Sequence, residues 1–360
     1  MYQNQSETDY ITNKCKERNL KDITIKNHLR RWNKINSNLT QEQQQGDSMD
    51  ICNDMIAWIE TQALTSQRSY LNTLCLFYGE KGKERKYQNA MWKKSADLLA
   101  KKSIEYYEKK SKQKKTQKEI DQWREWSKCV ELRNKLQYKY KKNKKLKLNL
   151  KTNKISKTRL FEFQDYLICC LYTDIIPKRC EYARVRTIVN YKSLTQEEKD
   201  NGNFLEVINK KKKIFWFGKN ACKATAKKNE PVKVPKQLNY VLNLWFHLTS
   251  AYYNNNTMGE LIGDYKTDEE RAEKIKKILI DKDNYEENMN WLLLDQNFVK
   301  MKESILSKKV KKIFGGGVSM LRKSYSTHIG KNDTPLEVKN EICRVMNHSS
   351  KVHDLHYVKH

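Results

Sequence analysis

The chain has 360 residues and a mass of 43.0 kDa, and its 72 lysines and arginines against 43 acidic residues give a formal charge of +29. An apolar content of 38% excludes a wholly disordered polyelectrolyte, and 11 glycines with 4 prolines exclude collagen-like or Gly/Pro-rich low-complexity architecture in favour of long helices. No run approaches the roughly 18 uninterrupted apolar residues of a membrane span. The opening MYQNQSETDY lacks the basic-then-apolar pattern of a secretory leader, so an intracellular location is expected. The nine cysteines form no C-x-x-C pair, which favours reduced, packed thiols over a disulfide or zinc framework. So basic a chain calls for a polyanionic partner. Nucleic acid leads, and composition alone does not separate it from an anionic membrane surface or an acidic protein.

Residues 1–110 read as a helical unit. From Asp22, the apolar residues Ile25, Leu29, Trp32 and Ile35 recur at helical intervals, with Lys26, Arg30, Arg31 and Lys34 elsewhere on the wheel. Ser66 is the expected N-cap of a helix that carries Leu71, Leu74 and Tyr78 and closes at Gly79. Another helix is expected from about Asn89 to Tyr107. The basic faces suit phosphate contact or plain solvation. KKSKQKKTQK, residues 109–118, contains no apolar residue and predicts a solvated basic linker over 111–119, with Lys112, Lys114 and Lys115 placed to follow a duplex.

A second domain, 120–360, is expected to open with a helix near Ile120 that includes Trp123 and Trp126. The basic stretch 139–151 suits a DNA-facing loop or a mobile surface insertion. RLFEFQDYLICCLY, residues 159–172, is too apolar for a one-sided helix and predicts one buried in a core. NFLEVINKKKKIFWFGK and EPVKVP form the convincing strand pair, and helices resume from Gln237, with SKKVKKIF ending at the glycines 315–317. The expected fold class is therefore mainly α with a small antiparallel β-sheet (α+β), the sheet lying near 204–235.

The candidate chemistry sits in this second domain. Arg179 lies in TDIIPKRCEYARV, Arg322 in GGGVSMLRKSYSTHI, His348 in VMNHSS, and Tyr357 nine residues later in HDLHYVKH. Singly, each reads as a surface charge or a packing aromatic. In this order and spacing, with a basic hairpin between the arginines, residues 120–360 resemble the tyrosine recombinase (phage-integrase-like) family. YTDIIPKRCEYA and GGGVSMLRKSY are most similar to integrases of large DNA viruses and related mobile elements. TIKNHLRRWNKI and TSQRSYLNTL are similar to the family's core-binding domain.

The resemblance implies a site-specific recombinase that cleaves and rejoins duplex DNA through a 3′-phosphotyrosyl intermediate, without metal, ATP or other cofactor. It also implies a homotetramer acting on two DNA sites, in the host nucleus or at a viral replication site. Arg179 and Arg322 would grip the nonbridging oxygens, His348 would add a hydrogen bond, and Tyr357 would be the nucleophile. Lys219 in FGKNACK matches the family's proton donor to the leaving oxygen, with Lys223 as the alternative. Glu181 matches the acidic residue that braces the site. Ser319 stands where the family commonly has histidine, and a hydroxyl is a poor base at neutral pH. Two other readings stay open: a catalytically weak or inactive DNA-binding protein of this fold, and a type IB topoisomerase-like enzyme. An unbroken helix would hold His348 and Tyr357 ~13 Å apart. A break is therefore expected, with Ser349 or Ser350 capping a new helix and His353 and His356 solvated.

Overall fold

A computed structural model of the chain describes residues 2–45, 47–79, 90–142, 155–221, 230–261, 291–331, 334–346 and 353–359. The chain divides into two units, Met1–Lys112 and Gln113–His360. The N-terminal unit consists of α1 (Tyr2–Glu17), α2 (Asp22–Asn36), α3 (Ser48–Glu60), α4 (Leu64–Tyr78) and α5 (Ala90–Ser111). Helix α2 buries Ile25, Trp32 and Ile35, as its periodicity requires. Trp32 stacks on Phe77 of α4 with ring centroids 3.8 Å apart, among buried Ile11, Leu71 and Leu74. Ser66 is not the cap of α4. The cap position lies three residues earlier, at Ala63, and the Ser66 amide already donates to the Ala63 carbonyl at 2.7 Å. Helix α3, not among the expected elements, buries Cys52, Met55, Ile56 and Ile59 at helical intervals and is opened by Asp47, whose carboxylate accepts from the Met49 and Asp50 amides at 2.7 and 2.8 Å.

The expected linker 111–119 is only partly extended. Helix α5 runs on to Ser111, and α6 (Gln117–Gln122) begins inside the stretch, opened by a capping box between Thr116 and Glu119. The helix expected near Ile120 is in fact two, because the chain leaves α6 at Trp123 and restarts as α7 (Trp126–Lys142). Most of the basic stretch 139–151 lies outside the described residues. Helix α8 (Lys157–Thr173) is the buried helix that the apolar run predicts, with Leu160, Phe163 and the whole of Tyr166–Tyr172 inside. Its one buried amide, Gln164, acts as a strand would: Nε2 donates to the Leu294 carbonyl at 2.9 Å and Oε1 accepts from the Leu294 amide at 2.8 Å.

After α8 come β1 (Val185–Ile188), α9 (Gln196–Asn201), β2 (Asn203–Val207), β3 (Lys213–Phe217) and β4 (Glu230–Lys233). The sheet order is β1-β2-β3-β4. Strands β2, β3 and β4 are antiparallel, but β1 lies parallel to β2, so the sheet is mixed and the crossover passes through α9. Helices α10 (Lys236–Leu261), α11 (Glu303–Phe314), α12 (Val318–Lys331) and α13 (Leu336–Val345) come next, then a five-residue π-helical turn, His353–Tyr357. Gly315, at φ 77°, ends α11 in the left-handed conformation that glycine adopts without strain. All cysteines among the described residues are free. No helix among the described residues is long and apolar enough to cross a membrane.

Gln164 gives a stability test. Gln164→Leu keeps the volume but strands the Leu294 N–H and C=O inside the core, at a cost of ~1–3 kcal/mol for each group. Urea denaturation should therefore show a loss of between about 2 and 6 kcal/mol with little change in the m-value.

Candidate active site

Arg322 occupies the second turn of α12 and is 1% exposed. A buried guanidinium needs acceptors on its donors, and the surrounding chain provides them. Nη1 donates to the Pro177 carbonyl at 3.1 Å, and Nη2 donates to the Met346 carbonyl at 2.9 Å and to Tyr357 Oη at 3.1 Å. The guanidinium carbon lies 5.0 Å from the Tyr357 ring centre. Two residues separated by 35 positions thus meet at a guanidinium nitrogen and a phenol oxygen. The Nε of Arg322 is buried without a protein acceptor.

The segment that carries Arg179 is held from three sides. Besides the bond from Arg322 to Pro177, the Tyr172 hydroxyl donates to the Arg179 carbonyl at 2.5 Å. Lys178, buried, donates to the Val345 carbonyl at the end of α13 and lies 4.3 Å above the Phe217 ring. Buried α8 thereby delivers Arg179 to a cleft of about 460 Å³ that also presents Glu181, Ser319, Asn220, Arg184 and Glu303. Arg179 Nη1 is buried there without a protein acceptor, and Glu181 Oε2 is buried without a protein donor. Arg184 and Glu303 pair across this cleft at 2.5 Å. Ser319 is exposed into it, three residues before Arg322 on α12.

The sheet ties the basic hairpin to the same place. Buried Asn203 donates to the Glu181 carbonyl at 3.3 Å and accepts from the Gly218 amide at 3.3 Å. Gly218 must be glycine, since a Cβ would stand 2.5 Å from the Gly202 carbonyl and 2.6 Å from that of Asp200. The next residue, Lys219, sends its ammonium to the Asp200 carboxylate at 2.6 Å. Asn220, not Lys219, lines the cleft. Lys223, His348, Ser349 and Ser350 lie outside the described residues, as does the side chain of His356.

His353 departs from the sequence expectation. It is 1% exposed rather than solvated, and its ring lies nearly parallel to that of Tyr357, with centroids 6.4 Å apart. Burial pushes its pKa down. Asp354 opposes that shift, and the charges of Lys339 and Arg322 add to it. Nothing local in HDLHY announces a buried ring, because the burial comes from the fold around the turn. Tyr325, the alternative nucleophile by proximity to Arg322, packs edge-on against Trp126 with centroids 4.9 Å apart, a core role. Among the described residues no cluster of His, Cys, Asp or Glu could hold a metal ion.

In the N-terminal unit, Arg30, Arg31 and Lys34 of α2 face Thr65, Ser66 and Ser69 of α4 across a cleft of about 750 Å³. Lys26 is exposed on α2 outside that lining. Lys112 and Lys114 are exposed, whereas Lys115 lies 4.5 Å from the Trp123 ring centre.

No family model and no curated protein matches the chain. Among solved structures, it is similar to the crystal structure of XerA recombinase with a TM-score of 0.31 and 11% sequence identity, over 98% of this chain and 93% of that one. At those values the ground for a functional reading is the geometry of the site itself.

The depressed pKa of His353 sets a pH dependence. The unfolded chain, with histidine near ~6.5, takes up a proton that the folded site resists, so acidification through that value destabilises the fold and raising the pH restores it. His28, buried with its pKa also lowered, contributes in the same direction from the N-terminal unit. Urea melts between pH 5 and 8 should show stability rising with pH, and His353→Asn should flatten the part that belongs to the C-terminal unit.

Proposed function

We propose that this protein is a tyrosine-type DNA strand transferase, with Tyr357 as nucleophile and Arg179 and Arg322 as the phosphate-gripping pair. The observation that carries the reading is the 3.1 Å bond from buried Arg322 to Tyr357 Oη. It sets a nucleophilic oxygen beside a permanently charged group whose Nε has no protein acceptor. In the reaction, Tyr357 Oη attacks the phosphorus in line. The Oη–P bond forms, the P–O5′ bond breaks, the tyrosine proton leaves, and O5′ takes up a proton. Charge building on the nonbridging oxygens is met by the two guanidiniums, whose N–H forks suit phosphate. The 3′-phosphotyrosyl link retains the energy of the broken bond, so attack by a 5′-hydroxyl reverses the step without ATP.

Lys219 is the proposed donor to O5′, and in that role it must exchange Asp200 for the DNA. Lys223 is the alternative, and His348 is proposed to complete the phosphate contacts. Ser319, exposed into the cleft, can donate a hydrogen bond and is not assigned as base. Glu181 sits at the cleft with its carbonyl held by Asn203, consistent with a bracing role. Duplex DNA is the proposed substrate, and Lys26, Arg30, Arg31, Lys112, Lys114 and Lys115 are the proposed backbone contacts. Assembly as a tetramer on two sites, and service to a viral or mobile element, belong to the same proposal and rest on the sequence resemblance. The Lys219–Asp200 pair favours a second reading, a DNA-binding protein with weak or no catalysis. A type IB relaxing activity would use the same residues and differ in giving relaxed circles rather than exchanged strands.

Incubation with a nicked suicide duplex separates enzyme from binder. The wild-type chain should form a covalent protein–DNA band, and Tyr357→Phe should form none while binding DNA normally. Arg179→Ala should slow the step by roughly 10²–10³, as the loss of one transition-state donor does. A band that persists in Tyr357→Phe would move the nucleophile elsewhere.

Binding itself should be dominated by phosphate contacts, so log K against log salt should be steep and linear, with base sequence a smaller term. A nearly flat slope in filter or anisotropy titrations would mean that the basic surface is not a DNA footprint.

A further inference from the structure

The stretch that opens the C-terminal unit runs along the elements that carry Arg322 and Tyr357. Gln113 is the first residue of that unit and has left-handed backbone at φ 52°. Its Nε2 donates to the Asp354 carbonyl at 2.9 Å, inside the His353–Tyr357 turn and 241 residues away in sequence. Farther along, Glu119 closes the capping box of α6 and pairs with Lys323, the neighbour of Arg322 on α12. Burial opposes the charge of Glu119, but the bonds from Lys323 and the Thr116 amide, with the charges of Lys323 and Lys359, outweigh it and hold the carboxyl at about 2. The Ser324 hydroxyl then donates to the Arg124 carbonyl at 2.7 Å. Residues 113–124 are thus fastened to the tyrosine turn at one end and to α12, just past Arg322, at the other.

A single five-residue turn has too few internal bonds to hold its own place. The Val358 amide closes it on the His353 carbonyl at 3.2 Å, and the Lys359 amide donates to Thr327 Oγ1 at 2.9 Å. Lys339 of α13 meets the Asp354 carboxylate at 2.8 Å. Gln113 adds a bond to the turn's own backbone from the point where the chain passes between units. We propose that residues 113–124 form a strap in which Gln113 is a positioning residue: its bond to the Asp354 carbonyl keeps Tyr357 Oη in register with Arg322. This role rests on Tyr357 being the nucleophile.

Gln113→Met keeps the length of the side chain and removes the donor. Glu119→Gln keeps the cap, which glutamine also serves, and removes the charge that holds Lys323. Two measurements on the full-length chain decide the matter. In single-turnover cleavage of a suicide duplex at saturating protein, Gln113→Met should be slower by about 10- to 100-fold, the cost of a small misplacement of a reacting atom, with duplex affinity unchanged. In hydrogen exchange, the Val358 and Lys359 amides should exchange faster in Gln113→Met, and to a lesser degree in Glu119→Gln. Wild-type cleavage by Gln113→Met, or unchanged exchange at both amides, overturns the strap. Reduced DNA affinity matching the slower rate overturns the positioning role as well. If the wild-type chain forms no covalent adduct, the nucleophile assignment fails on its own, and the exchange data still decide whether Gln113 holds the turn.

Discussion

The C-terminal unit is organised around the buried guanidinium of Arg322. A guanidinium stays charged at every accessible pH, so once Arg322 is inside it must be surrounded by acceptors or the fold is strongly destabilised. Its acceptors come from three separate places: the loop before Arg179, the end of α13, and Tyr357. Satisfying one side chain therefore brings together a loop 145 residues upstream and a turn 35 residues downstream. Site geometry and fold stability depend here on the same bonds. Removing the whole Arg322 side chain would strand two buried carbonyls and remove a candidate catalytic donor, so its loss cannot be read as a catalytic effect alone.

Around that centre, some polar groups face the cleft and others are engaged in ion pairs. Arg179, Glu181 and Ser319 share a cleft, while Lys219 is engaged by Asp200 and Arg184 by Glu303. Both pairs are partly solvated, and exposed or half-exposed ion pairs contribute little net stability. On the reading proposed above, a phosphate entering the cleft would offer Arg184 an acceptor in exchange for the Glu303 carboxylate, and Lys219, just outside the lining, would have to leave Asp200 to reach it. The buried bonds of Arg322 are not of that kind.

The charge of +29 is spread over both units. In the N-terminal unit, Arg30, Arg31 and Lys34 of α2 lie opposite the hydroxyls of α4, so that cations and neutral donors line the same cleft. On the proposed reading, the cations would neutralise phosphate and the hydroxyls would set its orientation, as contacts to a nucleic-acid backbone do.

What the sequence determined by itself is what short-range physics determines. The periodicity of α2, the apolar run of α8, the IFWF strand segment of β3 and the glycine stop at Gly315 are local patterns, and each is found in place. The order Arg179, Arg322, Tyr357 was also legible, because spacing along a chain survives without a structure. The parallel docking of β1, the true start of α4, the burial of His353 and the meeting of Gln113 with Asp354 were not legible. Each depends on which distant surface covers a residue, and no local window contains that surface. His353 is the clearest case: flanked by Asp354 and lysines it reads as solvated, and only the packing of the terminal turn onto α12 and beside Arg322 removes it from water. The tertiary structure decided which charges are buried, because burial is a property of contacts between segments and not of any segment alone.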